Sequence, residues 1–202
     1  MNIIWVVQDI FLERINNKAP LSIPYDLTEH YKKERWYIYL DAIYIATKYS
    51  EIEKSLTRYK YSSERENVDL YVDLILKIGD LYPEIFDKNP TFVPVPMHWS
   101  RYIFRGFDHT FLIVAKLSKI LHLPYQKLLS TRWTRHQSKL AREKRLENKK
   151  NTFRIRNHKN IPEFVVLFDD VISSGSTADE CARILKDAGV KRVVGIFLAS
   201  NL

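Results

Sequence analysis

The chain has 202 residues, 46% of them apolar and 28% charged, with one cysteine and a formal net charge of +8. It is long enough to bury a full core as a globular protein, and a single cysteine excludes both an internal disulfide and a four-thiolate zinc site. No apolar run approaches the ~20 residues that span a bilayer, so no membrane insertion is expected. The opening MNIIWVV stops at Asp9 without a basic leader or a small-residue cleavage site, which makes cytoplasmic residence the expectation. The six histidines show no close metal-ligand spacing.

Residues 1–35 open with an amphipathic helix, apolar at Ile4, Val7, Phe11 and Ile15, and a connection through Pro20 and Pro24. Trp36 to Thr47 is dense in β-branched and aromatic residues and reads as a strand. A short helix follows with Ile52, Leu56 and Tyr59 on one side, then a longer one with Val68, Val72, Ile75, Ile78 and Tyr82. The tyrosines serve the core and its rim. Only Arg58-Tyr59-Lys60-Tyr61 interleaves rings with cations as a nucleic-acid surface would.

From Phe92 a short strand, FVPVP, contains Pro94 and Pro96, each of which removes a ladder donor. The strand must end abruptly or lie where those donors are not required. A loop from Met97 to Phe104 then precedes a helix with Phe107, Phe111, Val114, Leu117 and Leu121 on its buried side, and Arg101, Arg105 and Gly106 ahead of that helix suit an anion. Pro124 to Leu129 is a further apolar stretch.

Eleven Lys and Arg against two Glu fall between Arg132 and Lys159, so the net positive charge belongs to one segment. Such a segment faces a polyanion, either pyrophosphate or a nucleic-acid backbone, or stays solvated. Few apolar residues lie between Lys139 and Asn151, so its ordering depends on a partner or ligand.

The stretch EFVVLFDDVISSGST, Glu163 to Thr177, joins an apolar run that suits a strand buried on both faces to Asp169 and Asp170 at its carboxyl end. Ligands of open α/β sheets bind at that end. The small polar turn Ser173-Ser174-Gly175-Ser176-Thr177 then leads into a helix with Ala178, Cys181, Leu185 and Ala188 on its apolar side. Hydroxyls, unpaired backbone N–H groups and the helix dipole can wrap a phosphate, each charge-assisted hydrogen bond contributing roughly 1.5–3 kcal/mol. An acidic strand end before a Ser-rich helix cap is the plainer reading of the same residues. Carboxylates repel a phosphate, so the acids' partners are hydroxyls or a cation beside it; a sugar phosphate offers both. Cys181 reads as a core residue. Gly189 stops the helix, and Arg192 to Ala199 forms a last strand. Strands alternating with helices imply an α/β fold, a mainly parallel twisted sheet with helices on both faces, plus a small N-terminal helical and strand extension over residues 1–35.

At the acidic pair and its loop the sequence resembles the type I phosphoribosyltransferases. The resemblance implies that Ser173, Ser174, Gly175, Ser176 and Thr177 hold the 5′-phosphate of 5-phosphoribosyl-1-pyrophosphate (PRPP), and that Asp169 and Asp170 bind its ribose hydroxyls. Family members more usually carry Thr-Thr-Gly where Ser173-Ser174-Gly175 stands; serine keeps the hydroxyl. Together with VPVPMHWSRYIFRGFDHT and RWTRHQSKLAREKRLENKKNTF, the stretch is similar to the ComF-type subfamily, associated with DNA uptake in bacterial competence. The match covers roughly Phe92 to Ala199, with Gln137, Leu140, Arg145, Asn148 and Phe153 at the family's spacing; Trp36 to Tyr61 is similar to the segment before that core.

That similarity implies a phosphoribosyltransferase-like domain over 36–202. It places the pyrophosphate on Met97, His98, Trp99, Ser100, Arg101 and Arg105, with Arg101 or Arg105 neutralising the leaving group. His98 either donates to a phosphate oxygen or satisfies the loop backbone. A basic flexible lid over 132–154 would close Arg135, Gln137, Lys139, Arg142 and Arg145 over the ligand. Magnesium would arrive with PRPP, with no direct protein ligand. Two departures stand out: the zinc ribbon that opens many ComF proteins cannot form here, and Asp108-His109 stands where Asn-Gln usually follows Arg-Gly-Phe.

Three functions fit these residues. One is a phosphoribosyltransferase that releases pyrophosphate, its acceptor unidentified. Another is a non-catalytic PRPP sensor that holds single-stranded DNA and meets DNA-uptake proteins. The third, a PRPP-responsive regulator of purine genes, is disfavoured by the lack of a recognisable DNA-reading element.

Overall fold

The computed structural model describes residues 22–33, 39–61, 68–97, 99–131, 152–156 and 159–200. The sheet is organised around β6 (Phe164–Ile172) and β7 (Arg192–Ser200), which pair in parallel, Phe164 opposite Arg192 through Ile172 opposite Ser200. On the far side of β7 lies β2 (Ala42–Lys48), also parallel, and β1 (Tyr25–Asp26) closes that edge antiparallel to β2. On the far side of β6 lies β3 (Thr91–Pro94), parallel again, so the order is β1-β2-β7-β6-β3. The mostly parallel sheet expected from alternating strands and helices is therefore present.

Side chains alternate across a strand, and the sheet sorts its apolar residues accordingly. Val166 and Phe168 of β6, with Val194 and Ile196 of β7, face one core, closed by α2 (Tyr49–Tyr61), α3 (Val68–Leu81) and α5 (His109–Leu121). Val165 and Leu167, with Val193 and Phe197, face the other, where Cys181, Ala182 and Leu185 of α6 (Ser176–Asp187) pack beside Tyr31 of α1 (Thr28–Lys33). Burial on both faces accounts for the unbroken apolar runs of these strands. Ile52, Leu56 and Tyr59 are the buried residues of α2, as their spacing predicts, and Cys181 is a core residue.

The prolines of FVPVP find their place at the edge. The Val95 N–H turns inward to the Phe168 carbonyl (2.8 Å), while the Phe92 N–H turns outward to the Pro124 carbonyl (2.9 Å). Alternation puts the nitrogens of Pro94 and Pro96 on the outward side, where β6 requires no donor.

Four expectations change. The loop expected from Met97 to Phe104 contains a helix, α4 (Trp99–Arg105). No Gly or Pro interrupts those seven residues, and the helix ends at Gly106, whose φ of 73° suits a left-handed stop and whose N–H bonds the Tyr102 carbonyl. The buried residues of α5 are His109, Thr110, Ile113, Val114 and Leu117; of the expected face Val114 and Leu117 are buried, Phe107 and Leu121 pack partly buried against the core, Phe111 is only partly buried, and Phe107 precedes the helix because Asp108 caps it. Strand β2 opens at Ala42, since the Asp41 carboxylate accepts the Val193 N–H (2.7 Å) and Lys186 there. Strand β6 continues through both acids to Ile172, carried by its pairing with β7.

Beyond the sheet, β4 (Leu129–Thr131) and β5 (Phe153–Ile155) form an antiparallel pair, Thr131 opposite Phe153. The helix expected over Ile4 to Ile15 and nearly all of the basic segment, 132–151, lie outside the described residues. Among the described residues no helix is long and apolar enough to cross a membrane.

Candidate functional site

Because β6 runs on through the acids, period-2 alternation sends them to opposite faces. Asp170 shares the side of Val166 and Phe168 and meets α2 and α5; Asp169 shares the side of Val165 and Leu167, toward α6. Both line a cavity of about 330 Å³ at the carboxyl end of β6, within the ~300–1,000 Å³ of small-ligand sites. Ser173, Ser174, Gly175 and Thr177 of the loop line it too, as do Met97, Lys60, Arg105 and His109.

The loop turns into α6 at Gly175, which holds φ 61° and ψ −5°, a left-handed conformation that costs a residue with a Cβ roughly 1–2 kcal/mol. The Gly175 carbonyl accepts the Asp179 N–H (2.9 Å), and Gly175 itself, as the N-cap, has no side chain to cap the helix. Ser173 and Ser174 are exposed. The Ser174 and Ser176 hydroxyls stand 3.1 Å apart, and Ser176 is the first residue of α6.

The opposite wall is ionic. Oδ2 of Asp170 receives Lys60 Nζ at 2.5 Å and His109 Nε2 at 2.6 Å, and Oδ1 receives the Val171 N–H at 2.6 Å. Asp108 caps α5 by accepting the Phe111 N–H (3.0 Å) and the Thr110 hydroxyl (2.8 Å), which sets His109 as the first helical residue; the Tyr59 hydroxyl donates to the His109 carbonyl (3.2 Å). Arg105 donates to Nδ1 of His109 (3.2 Å) and to the Tyr61 hydroxyl (3.0 Å). A guanidinium can only donate, so Nδ1 carries a lone pair and the proton sits on Nε2, facing Asp170. Burial pushes the Asp170 carboxyl up, but the His109 hydrogen bond and the Lys60 charge outweigh it and hold the group well below the usual carboxylate range.

Of the other residues singled out in the sequence, Trp99, Ser100 and Arg101 form the first turn of α4. His98, Arg135, Gln137, Lys139, Arg142 and Arg145 lie outside the described residues. Thr131 and Thr152, which flank the basic segment, both line the cavity. Sequence reasoning assigned no site role to Lys60 or His109. Lys60 stood in the Arg58–Tyr61 run, one residue past the buried Tyr59, and His109 at a departure from the family pattern; neither signal says which acid they meet. Among the described residues no group of three or more His, Cys, Asp or Glu is arranged to hold a metal ion.

Fold and site thus define an α/β protein with a donor-rich, partly cationic cavity at the carboxyl edge of a mostly parallel sheet. No family model matches the chain. It is similar to Competence protein F of Haemophilus influenzae, 35% identical over 107 residues, which is 50% of this chain and 46% of that protein. It is also similar to the DNA utilization protein YhgH of Escherichia coli K12, 34% identical over 50% of this chain and 45% of the relative. Competence protein ComFC of Bacillus subtilis is 26% identical over 147 residues, 72% of this chain and 58% of that one. The chain spans about half the length of the curated relatives it matches.

Proposed function

We propose that the cavity binds PRPP as its magnesium complex and that the chain is a ComF-type phosphoribosyltransferase-like protein. One observation carries this reading: Ser173, Ser174, Gly175 and Thr177 of the turn, the acid Asp169 and two cations, Lys60 and Arg105, line a single cavity. A ligand with a phosphate at each end of a hydroxylated ring meets those three chemistries in one molecule. The loop's N–H and hydroxyl groups would take the 5′-phosphate, and Asp169, partly exposed, would accept from ribose hydroxyls. Magnesium that arrives on the phosphates and keeps most of its water fits such a carboxylate as an outer partner.

Transfer from the anomeric carbon separates charge as pyrophosphate leaves, so fixed cations at the leaving group and a held ribose would lower the barrier without a covalent nucleophile. The basic segment is attached on both sides to residues of the cavity wall, Thr131 and Thr152, a position that suits cations closing over pyrophosphate.

The test is calorimetric titration of PRPP with magnesium into the wild type and into Asp169→Asn. The reading expects binding that weakens about tenfold or more in the variant, as loss of one charge-assisted hydrogen bond implies. No binding to the wild type overturns it. Pyrophosphate release dependent on an added acceptor then separates a transferase from a sensor.

The names of the relatives support a role in competence and DNA use, and with it the second reading, a non-catalytic PRPP sensor that holds single-stranded DNA on the 132–151 segment. Affinity for single-stranded DNA should then fall steeply with salt, and neutralising Lys149 and Lys150 should reduce the log–log slope by about 1.4, at ~0.7 per phosphate contact. A slope that does not change removes that reading.

A further inference from the structure

The resemblance gives Asp169 and Asp170 the same task, but their surroundings differ. An ionised carboxylate has about four acceptor positions. Asp170 has three of them filled, by Lys60, His109 and the Val171 N–H, and its side chain is only 12% exposed. A ribose hydroxyl has little to approach. Lys60 is in the reverse position: its side chain is 17% exposed and lines the cavity, and among the described residues Asp170 is its one ionic partner, which leaves two of its three N–H donors for a ligand.

We infer that Asp170 is a positioning residue that fixes Lys60 and His109 at the cavity wall, and that Lys60 with Arg105 forms the subsite for the pyrophosphate end of the ligand. This rests on the reading of the cavity as a PRPP site. The charge balance supports it. With His109 neutral, Lys60, Arg105 and Asp170 sum to one net positive charge, whereas the Ser173–Thr177 loop carries no formal charge and offers only hydrogen bonds and a helix end. The more highly charged pyrophosphate therefore belongs at the ionic wall and the monophosphate at the loop. A lysine that no acid held would lose side-chain freedom on binding; one already held by Asp170 has lost it in advance. Arg105 is likewise held, by His109 and by Tyr61, whose ring lies 4.8 Å from its Cζ.

The experiment titrates two probes, inorganic pyrophosphate and ribose 5-phosphate, into the wild type, Lys60→Met, Lys60→Arg and Asp170→Asn. Lys60→Met should weaken pyrophosphate about 10- to 100-fold, as loss of a charge-assisted contact implies, and leave ribose 5-phosphate within about twofold. Lys60→Arg should retain most of the affinity. Asp170→Asn is the sharper test, because it removes a negative charge beside an anion. A positioning role predicts that pyrophosphate binds more weakly all the same. Pyrophosphate bound as well or better by Asp170→Asn, with ribose 5-phosphate weakened, makes Asp170 a hydroxyl ligand and overturns the inference. So does a Lys60→Met variant that binds pyrophosphate like the wild type while ribose 5-phosphate still binds, an outcome that leaves the PRPP reading standing. If the wild type ignores ribose 5-phosphate yet loses pyrophosphate on Lys60→Met, the PRPP reading fails and the anion subsite stands. Should Lys60→Met not fold, the Lys60→Met/Asp170→Asn double variant, which leaves no buried charge uncompensated, takes its place with the same expected loss.

Discussion

Nζ of Lys60 lies 2.5 Å from Oδ2 of Asp170, tying the last turn of α2 to an interior strand of the sheet. The contact joins two groups that are each mostly withdrawn from water. His109 donates to the same oxygen, so the carboxylate has a neutral donor and a cation on one atom. This cluster makes the stability of the sheet's carboxyl edge depend on charge.

Its pH dependence follows from the depressed Asp170 carboxyl. A carboxyl whose folded value lies below its unfolded value, ~3.9, stabilises the fold fully above that value and ceases to do so as pH falls through the folded one. The wild type should therefore melt higher than Asp170→Asn at pH 7, and the gap should narrow steadily below about pH 4. The cost at pH 7 should stay under the ~3–5 kcal/mol of a broken buried pair, because Lys60 can reach water through the cavity. Melting curves from pH 7 to pH 2.5 measure it; a gap independent of pH contradicts the account.

Gly79 gives a test of packing in which two effects oppose. Alanine in the last turn of α3, where Gly79 stands, gains at most the ~0.8–1 kcal/mol of helix propensity that it has over glycine in a helix interior. A Cβ at Gly79, however, would lie 2.6 and 2.7 Å from the ring carbons Cδ2 and Cε2 of Phe86, which packs against the core. Overpacking of that kind costs about 1–3 kcal/mol, so Gly79→Ala should destabilise on balance and lower the melting temperature by a few degrees. Phe86→Leu in the same chain should recover part of the loss. An alanine variant at least as stable as the wild type would show that the ring moves freely.

Cys181 can report the opening of the second core. It is fully buried on α6, and burial pushes its thiol well above the usual range, aided by the nearby charges of Asp169 and Glu180. The chain has no other cysteine, so a thiol reagent reads this position alone. Labelling of the native protein should proceed only as fast as α6 opens and become rapid in denaturant. Stoichiometric labelling within minutes under native conditions would place Cys181 outside the core.

Much of the fold can be read from local pattern. The run Phe164 to Phe168, the Gly189 stop and the Ile52, Leu56, Tyr59 spacing each state an element through its own period or terminator, and the two prolines of FVPVP state a strand that ends abruptly or lies where their donors are not required. The misreadings share a cause. The loop expected at Met97–Phe104 contains α4 from Trp99 on because no breaker stands there, although its residues Tyr102, Ile103 and Phe104 are exposed and show no buried stripe. The face of α5 is displaced because Asp108 caps the helix after Phe107, which the apolar pattern counts as helical.

The cavity divides the same way. The loop Ser173–Thr177 and the acid pair are contiguous, so their chemistry is visible in fifteen residues. Lys60 and His109 are distant in the chain: His109 meets Asp170 across 61 positions, and no local period links them. The sequence alone determined that an apolar strand runs into two acids and that a small, hydroxyl-rich turn follows them. Only the tertiary structure decided that the two acids part, because continued pairing with β7 keeps the period of two running through them, and that Asp170 is thereby delivered to α2 and α5.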